Sequence, residues 1–223
     1  MDAADRSLHA RAGRRAFVRA LAAGPTLALL APRAAWGQAT DQIRALRGEV
    51  RINGRPADRG SAIRPGDAVA TGDDGYIVFV LGADAYMLRS RSELRLEAGA
   101  SSVLVEALRL ATGALAAVFA PGRPRTIHAP TATAGIRGTG VYLEARSTGT
   151  YFCTCYGAVS LAAADDLQAR EFTLAGRHTA RWVAPRGAAG PRLAPAPFEN
   201  HTDAEMDALE RAVGRRSPLV APR

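Results

Sequence analysis

The chain has 223 residues, a hydrophobic content of 48% and a formal net charge of +8. This composition is typical of a globular protein and excludes a largely disordered chain. Six arginines and two aspartates give residues 1–39 a charge of +4, which leaves +4 for the rest. All 29 basic residues are arginines, and beyond residue 39 they are scattered rather than clustered. The sequence therefore predicts no nucleic-acid partner.

Residues 1–39 have the organisation of a twin-arginine-type signal peptide. Arg14, Arg15 and Phe17 resemble the twin-arginine motif and precede a 12-residue apolar stretch, with small residues just before Thr40. A transmembrane helix needs about 20 residues, so the stretch suits the apolar region of a signal peptide instead. We expect a periplasmic mature protein without a transmembrane segment. The alternative is a basic amphipathic helix that stays on a cytoplasmic protein.

Short apolar runs separated by turn residues follow from residue 43 to residue 120. Asn53–Gly54 is a hairpin signal, residues 76–81 form a continuous apolar run, and residues 93–97 alternate between polar and apolar. One such run occurs about every eight to twelve residues, with no amphipathic helix between runs. The pattern predicts an all-β fold, either an antiparallel β-sandwich or a short β-solenoid-like domain.

The stretch from Arg125 to Leu161 has the pattern of an antiparallel hairpin meander. Its centre is the run Arg137, Gly138, Thr139, Gly140. Two glycines flanking one residue predict a bend or bulge, or a close approach by a neighbouring chain segment. We therefore expect these four residues to form a structural motif.

This stretch also carries a family resemblance. The sequence PTATAGIRGTGVY, followed by a strand and YGAVSL, resembles the core motif of the FecR-like periplasmic domain family. Three upstream segments resemble earlier motifs of the family in the same order: residues 48–57, 64–72 and 108–118. The resemblance covers residues 45–162. It implies a sensing or interaction domain that binds a protein partner or a small ligand, in the best-known members by regulating a sigma factor. This chain departs from those members, because no cytoplasmic anti-sigma region is recognisable.

Beyond the FecR-like region the sequence changes character. Residues 162–170 are expected to form a loop or a short helical turn, and residues 171–174 and 177–183 read as strands. A proline- and glycine-rich linker follows, so residues 163–198 form a strand-and-linker extension. Residues 199–214 hold a C-terminal helix from 203 to 213, and residues 215–223 are expected to be a disordered tail.

The helix prediction rests on a capping box and an apolar stripe. Thr202 at the N-cap precedes Glu205 by three residues, which is the capping-box spacing. Met206, Leu209 and Val213 then recur at helical spacing. The stripe predicts one helix docked on the β domain.

The only cysteines, Cys153 and Cys155, lie in a strand-like run, so their thiols share one strand face. Regular strand geometry separates their Cβ atoms by about 6–7 Å, beyond the range of a disulfide. His178, on an alternating strand, and His201, just before the N-cap, are the candidate nitrogen ligands. The four residues could bind zinc or another transition metal. A strained redox-active disulfide and plain packing remain alternatives.

No catalytic motif accompanies these residues. The sequence contains no G-x-S-x-G, no P-loop and no H-E-x-x-H. We therefore expect a non-enzymatic interaction protein, with a metal-binding or redox protein as the alternative.

Overall fold

The computed structural model describes residues 43–100 and 104–220. These residues form an all-β domain with one helix. The strands, in chain order, are β1 (Ile43–Arg47), β2 (Val50–Ile52), β3 (Arg55–Pro56), β4 (Ala68–Thr71), β5 (Tyr76–Leu81), β6 (Asp84–Leu88), β7 (Glu93–Ala98), β8 (Val105–Val118), β9 (Pro124–His128), β10 (Ala132–Arg146), β11 (Gly149–Ala163), β12 (Asp166–Ala175), β13 (Thr179–Val183) and β14 (Leu193–Pro195), and the helix is α1 (Asp203–Ala212).

The sheet is mostly antiparallel, and three long strands form its centre. β10 pairs with β11 in a hairpin that turns between Arg146 and Gly149, and β10 also pairs with β8. The β8–β9 pair is parallel. Along one edge of β11, β13 pairs with its first half and β12 with its second half. β11 is therefore the strand to which the C-terminal elements attach.

The central strands are buried on both faces, and each of these faces carries an apolar core. Strand β5 shows the division between them. Ile77 and Phe79 belong to the larger core on one face, whereas Val78 and Val80 belong to the smaller core on the other face. This agrees with the continuous apolar run in the sequence. The second face we call the helix-side core, because Met206 and Leu209 of α1 cover it.

The helix begins as the capping box predicts. The Thr202 hydroxyl accepts a hydrogen bond from the Glu205 amide, and the Glu205 carboxylate accepts one from the Thr202 amide. These bonds satisfy two groups at the helix start that would otherwise lack partners. Among residues 43–100 and 104–220, no helix has the length and apolarity needed to span a bilayer.

Two sequence predictions in the C-terminal region were wrong. Residues 162–170 are neither a loop nor a helical turn, because β11 continues to Ala163 and β12 begins at Asp166. Residues 215–220, predicted to be disordered, are ordered against the domain. Leu219 is 6% exposed and packs in the helix-side core, so one apolar side chain anchors this stretch. The predicted signal peptide with Arg14, Arg15 and Phe17 lies outside the described residues.

The Arg137–Gly140 motif forms a β-bulge. The β10–β11 register shifts between Arg137 and Val141. Gly138 has φ = +57°, and a Cβ on it would lie 2.9 Å from Pro121 Cα. The Thr139 hydroxyl is fully buried and lies 2.9 Å from the carbonyl oxygens of Arg137 and Ala158, the two acceptors within reach of its single proton. The bulge bends the hairpin and therefore needs glycine at position 138.

Candidate metal centre

Strand β11 places the thiols of Cys153 and Cys155 in the helix-side core. Cys153 and Cys155 are two residues apart, so the alternation of the strand turns both side chains to the same face. Both are free thiols and both are fully buried. Their sulfur atoms therefore meet only groups that the rest of the chain brings to this face.

His178 comes from the turn between β12 and β13. Its amide donates a 2.9 Å hydrogen bond to the Cys155 carbonyl, which ties the turn to β11. Its φ is +22°, outside the regions that residues other than glycine usually adopt. In this conformation its Nδ1 lies 3.7 Å from the Cys153 sulfur.

His201 comes from the segment that leads into α1. It precedes the N-cap Thr202 and follows Asn200, which adopts the left-handed conformation with φ = +61°. Asparagine tolerates this conformation better than most residues. The His201 side chain is buried, and its Nε2 lies 3.4 Å from the Cys155 sulfur.

One ligand atom from each of these four residues lies within 4.8 Å of the other three. Tetrahedral zinc, with Zn–S bonds of about 2.3 Å and Zn–N bonds of about 2.0–2.1 Å, holds a sulfur and a nitrogen about 3.6 Å apart. The two sulfur–nitrogen distances of 3.4 and 3.7 Å straddle that value. The spacing therefore fits one ion with Cys153, Cys155, His178 and His201 as ligands.

Each histidine has a hydrogen-bond acceptor on its other ring nitrogen. Asp203 Oδ1 lies 2.6 Å from His178 Nε2, and the Glu199 carbonyl oxygen lies 2.7 Å from His201 Nδ1. In the neutral ring the proton sits on the nitrogen that faces the acceptor. The lone pairs of His178 Nδ1 and His201 Nε2 are then directed at the sulfurs. Metal-binding histidines show this outer arrangement of carboxylate or carbonyl partners.

The two thiols affect each other's ionisation. Hydrogen bonding with the neighbouring Cys155 thiol, and after it the two histidines, lower the pKa of Cys153 to about 5 against the opposing effect of burial. Burial raises the pKa of Cys155, and the adjacent Cys153 sulfur raises it more. The pair thus releases its first proton readily and holds the second, which a bound cation would displace.

Aromatic rings enclose the histidines. The Tyr142 ring stacks on His201 with centroids 4.3 Å apart, and Phe198 lies 4.1 Å from His178 and 4.6 Å from His201. A surface groove lined by Arg177, Phe198 and Asp203 reaches His178 from outside. The aromatic rings therefore cover the two histidines, and His178 is the one member of the cluster that lines this groove.

The sequence identified the four ligand candidates but missed the groups around them. Asp203 was recognised only as the first residue of a helix, and Tyr142 and Phe198 only as strand and linker residues. An acidic residue two positions after His201 was the available signal for Asp203. His128, the other histidine among the described residues, lies on β9 beside Thr133 and takes no part in the cluster.

Comparison with known proteins adds little to this geometry. No protein-family model matches the chain, and no curated protein matches it. Among solved structures, the chain resembles a proposed anti-sigma factor from Parabacteroides distasonis ATCC 8503, with 9% identity and a TM-score of 0.47 over 58% of each chain. The matched part thus spans little more than half of that protein. We draw no conclusion about function from a likeness of this size.

Proposed function

We propose that this chain is a non-enzymatic, exported β-domain protein that holds one zinc ion between Cys153, Cys155, His178 and His201. The observation that carries the proposal is that each histidine has a hydrogen-bond acceptor on the ring nitrogen that faces away from the sulfurs. Both imidazoles are oriented by an acceptor on the far nitrogen, and both direct the near nitrogen at a thiol. Plain packing of two buried cysteines would not require two histidines held in this way.

The ligand set favours zinc and a structural role. Two sulfurs and two nitrogens in a tetrahedral arrangement are a usual ligand set for zinc. Structural zinc sites have four protein ligands, whereas catalytic sites keep one position for water or substrate. With all four positions filled by side chains, this centre has no place for a substrate. The proposed ion therefore holds the fold together and does not perform a reaction.

The burial of both cysteine thiols argues against the redox alternative. Redox-active cysteines are generally low-pKa thiols that solvent can reach. Cys153 has the low pKa, but neither sulfur-bearing side chain has measurable exposure. We therefore assign the thiols to metal binding.

The ion would fasten the C-terminal segment to the sheet. Two ligands belong to β11, whereas His201 belongs to the segment whose helix covers the helix-side core. Other contacts act in the same direction, since Arg89 pairs with Glu205 and the Tyr156 hydroxyl donates to the buried Glu210. The zinc centre would be the strongest of these attachments.

The FecR-like resemblance over residues 45–162 bears on the role and the location of this domain. It supports a role in sensing or in binding a protein partner or ligand outside the cytoplasm. The export signal predicted at residues 1–39 supports the same location. In this proposal the metal centre stabilises an interaction domain.

Metal analysis of the purified protein tests the zinc assignment. We expect about one zinc per chain after expression in zinc-supplemented medium, and no binding by the Cys153→Ala or His201→Ala variants. His128→Ala is the matched control, because it removes a histidine outside the cluster and should keep the zinc. Wild-type protein that is folded and takes up no zinc from excess metal would refute the assignment.

A further inference from the structure

Strand β12 carries the three most exposed large apolar side chains of the part of the chain that the structure describes. Leu167, Phe172 and Leu174 are 60%, 68% and 77% exposed. Phe172 and Leu174 alternate with the buried Thr173, so both project from the outer face of the sheet. Single exposed apolar residues are common, but a concentration on one strand indicates a contact surface.

The same strand has a free backbone edge. β12 pairs with β11 on one side, and within residues 43–100 and 104–220 no strand pairs with its other side. Residues 170–175 pair regularly with β11, and the outer edge of such a stretch presents backbone amides and carbonyls to another chain. Proteins usually block such edges with charges or proline, yet residues 172–175 are free of both.

We propose that a second copy of this chain pairs with β12, edge to edge and antiparallel, across a twofold axis at Thr173. The residues that would pair, 171–175, include none of the four proposed metal ligands, so the proposal does not depend on the zinc assignment. Pairing of this kind would continue the sheet from one copy into the other. The backbone edge would provide the hydrogen bonds, and the exposed apolar side chains would determine the register.

The charges on β12 and the positions of its exposed apolar side chains together favour this register. A twofold axis perpendicular to the sheet keeps each face on its own side, so it pairs residues of equal spacing from the axis. An axis at Arg170 or Glu171 would place two like charges directly opposite, which is destabilising. An axis at Phe172 would place Arg170 opposite Leu174 of the second copy.

An axis at Thr173 avoids both conflicts. It places Phe172 opposite Leu174 of the second copy, and it does so twice because of the symmetry. Aromatic–aliphatic pairs of this kind stabilise antiparallel strands. Glu171 then faces Ala175, and its existing ion pair with Arg181 of its own chain can persist. This register packs Phe172 and Leu174, the two most exposed of the apolar side chains, against each other.

The mass of the purified protein in solution, measured by light scattering during size-exclusion chromatography, tests the pairing. We expect twice the monomer mass for the wild type at micromolar and higher concentrations. Phe172→Glu and Leu174→Lys should each run as monomers, because each places a charge opposite an apolar side chain twice. Leu104→Glu is the control, since Leu104 is exposed outside β12 and its replacement should leave the dimer intact.

The two single substitutions together give the decisive measurement. In the double variant, or in an equimolar mixture of the two single variants, the introduced glutamate of one copy would face the introduced lysine of the other. We expect the dimer to return in both cases, with unchanged circular dichroism throughout. A monomeric wild type, or a double variant that stays monomeric, would overturn the proposal. Association of β12 with a different protein would appear as the first of these results.

Discussion

The Asp203 carboxylate lies 2.6 Å from His178 Nε2, on the side of the ring that faces away from Cys153. Asp203 is also the first residue of α1, so one side chain links the helix start to a proposed zinc ligand. A carboxylate in this position fixes the ring and increases its basicity. The helix start and the metal centre therefore depend on each other.

Replacing this carboxylate should weaken zinc binding without removing a ligand. We expect Asp203→Ala to lower zinc affinity about 10–100-fold, which is the usual effect of removing the hydrogen-bond partner of a metal-binding histidine. Competition with a chromophoric chelator measures the affinity. Asp207→Ala is the control, because Asp207 lies on the same helix and pairs with Arg211 instead. Equal affinities for the two variants would contradict the role given to Asp203.

Removing the metal should loosen the C-terminal segment selectively. We expect a chelator to lower the Tm by about 10 °C, from several kcal/mol of lost binding free energy in a domain of this size. Limited trypsin digestion should then cut at Arg192 and Arg211 before sites in the central strands. If the chelated protein shows the Tm and digestion pattern of untreated protein, the ion does not hold the segment.

The bulge glycine gives a test that is independent of the metal. A valine at position 138 would have to adopt a positive φ, and its Cβ would collide with Pro121. Gly138→Val should therefore lower the free energy of unfolding by about 1 kcal/mol or more. That corresponds to a Tm lower by about 2–4 °C. Gly176→Val is the control, because a Cβ at Gly176 has no neighbour within 4 Å. Equal Tm values for the two variants would show that an ordinary residue fits the bulge.

A buried ion pair should be far more sensitive to substitution than an exposed one. Arg125 and Asp84 are 2.9 Å apart with side chains 9% and 4% exposed, and the Ala120 amide also donates to Asp84. Asp84→Asn leaves the Arg125 charge buried without its partner and should cost about 3–5 kcal/mol. Asp73→Asn breaks an exposed pair with Arg91 and should cost less than about 1 kcal/mol. Chemical denaturation measures both, and similar losses would contradict the prediction.

The export prediction concerns residues that the structure does not describe. The twin-arginine route reads the pair Arg14–Arg15, so replacing both with lysine should leave the protein in the cytoplasm. Cell fractionation with an antibody against the chain measures this. Normal accumulation of the double variant in the periplasm would remove the argument for this route.

Strand alternation and the capping box were enough to predict parts of the site. Alternation placed Cys153 and Cys155 on one face, and the capping box placed His201 at a helix start. Their meeting with His178 could not be derived, because it depends on β13 returning to pair Ala180 with Cys153. Pairing between distant strands is a tertiary property with no local signal. The anchoring of Leu219 was missed for a related reason, since the short apolar run that begins at Leu219 shows no helical or strand periodicity.

The order of synthesis has a consequence for when the metal can bind. The four proposed ligands occupy positions 153, 155, 178 and 201, so a growing chain lacks a complete centre until its C-terminal region has been made. Strands β1–β10 can pair before that point, whereas the helix-side core waits for the segment that carries His201. Twin-arginine export would carry the protein across the membrane already folded. Zinc capture would then be the last step of folding before export, completed in the reducing cytoplasm before the thiols meet an oxidising compartment.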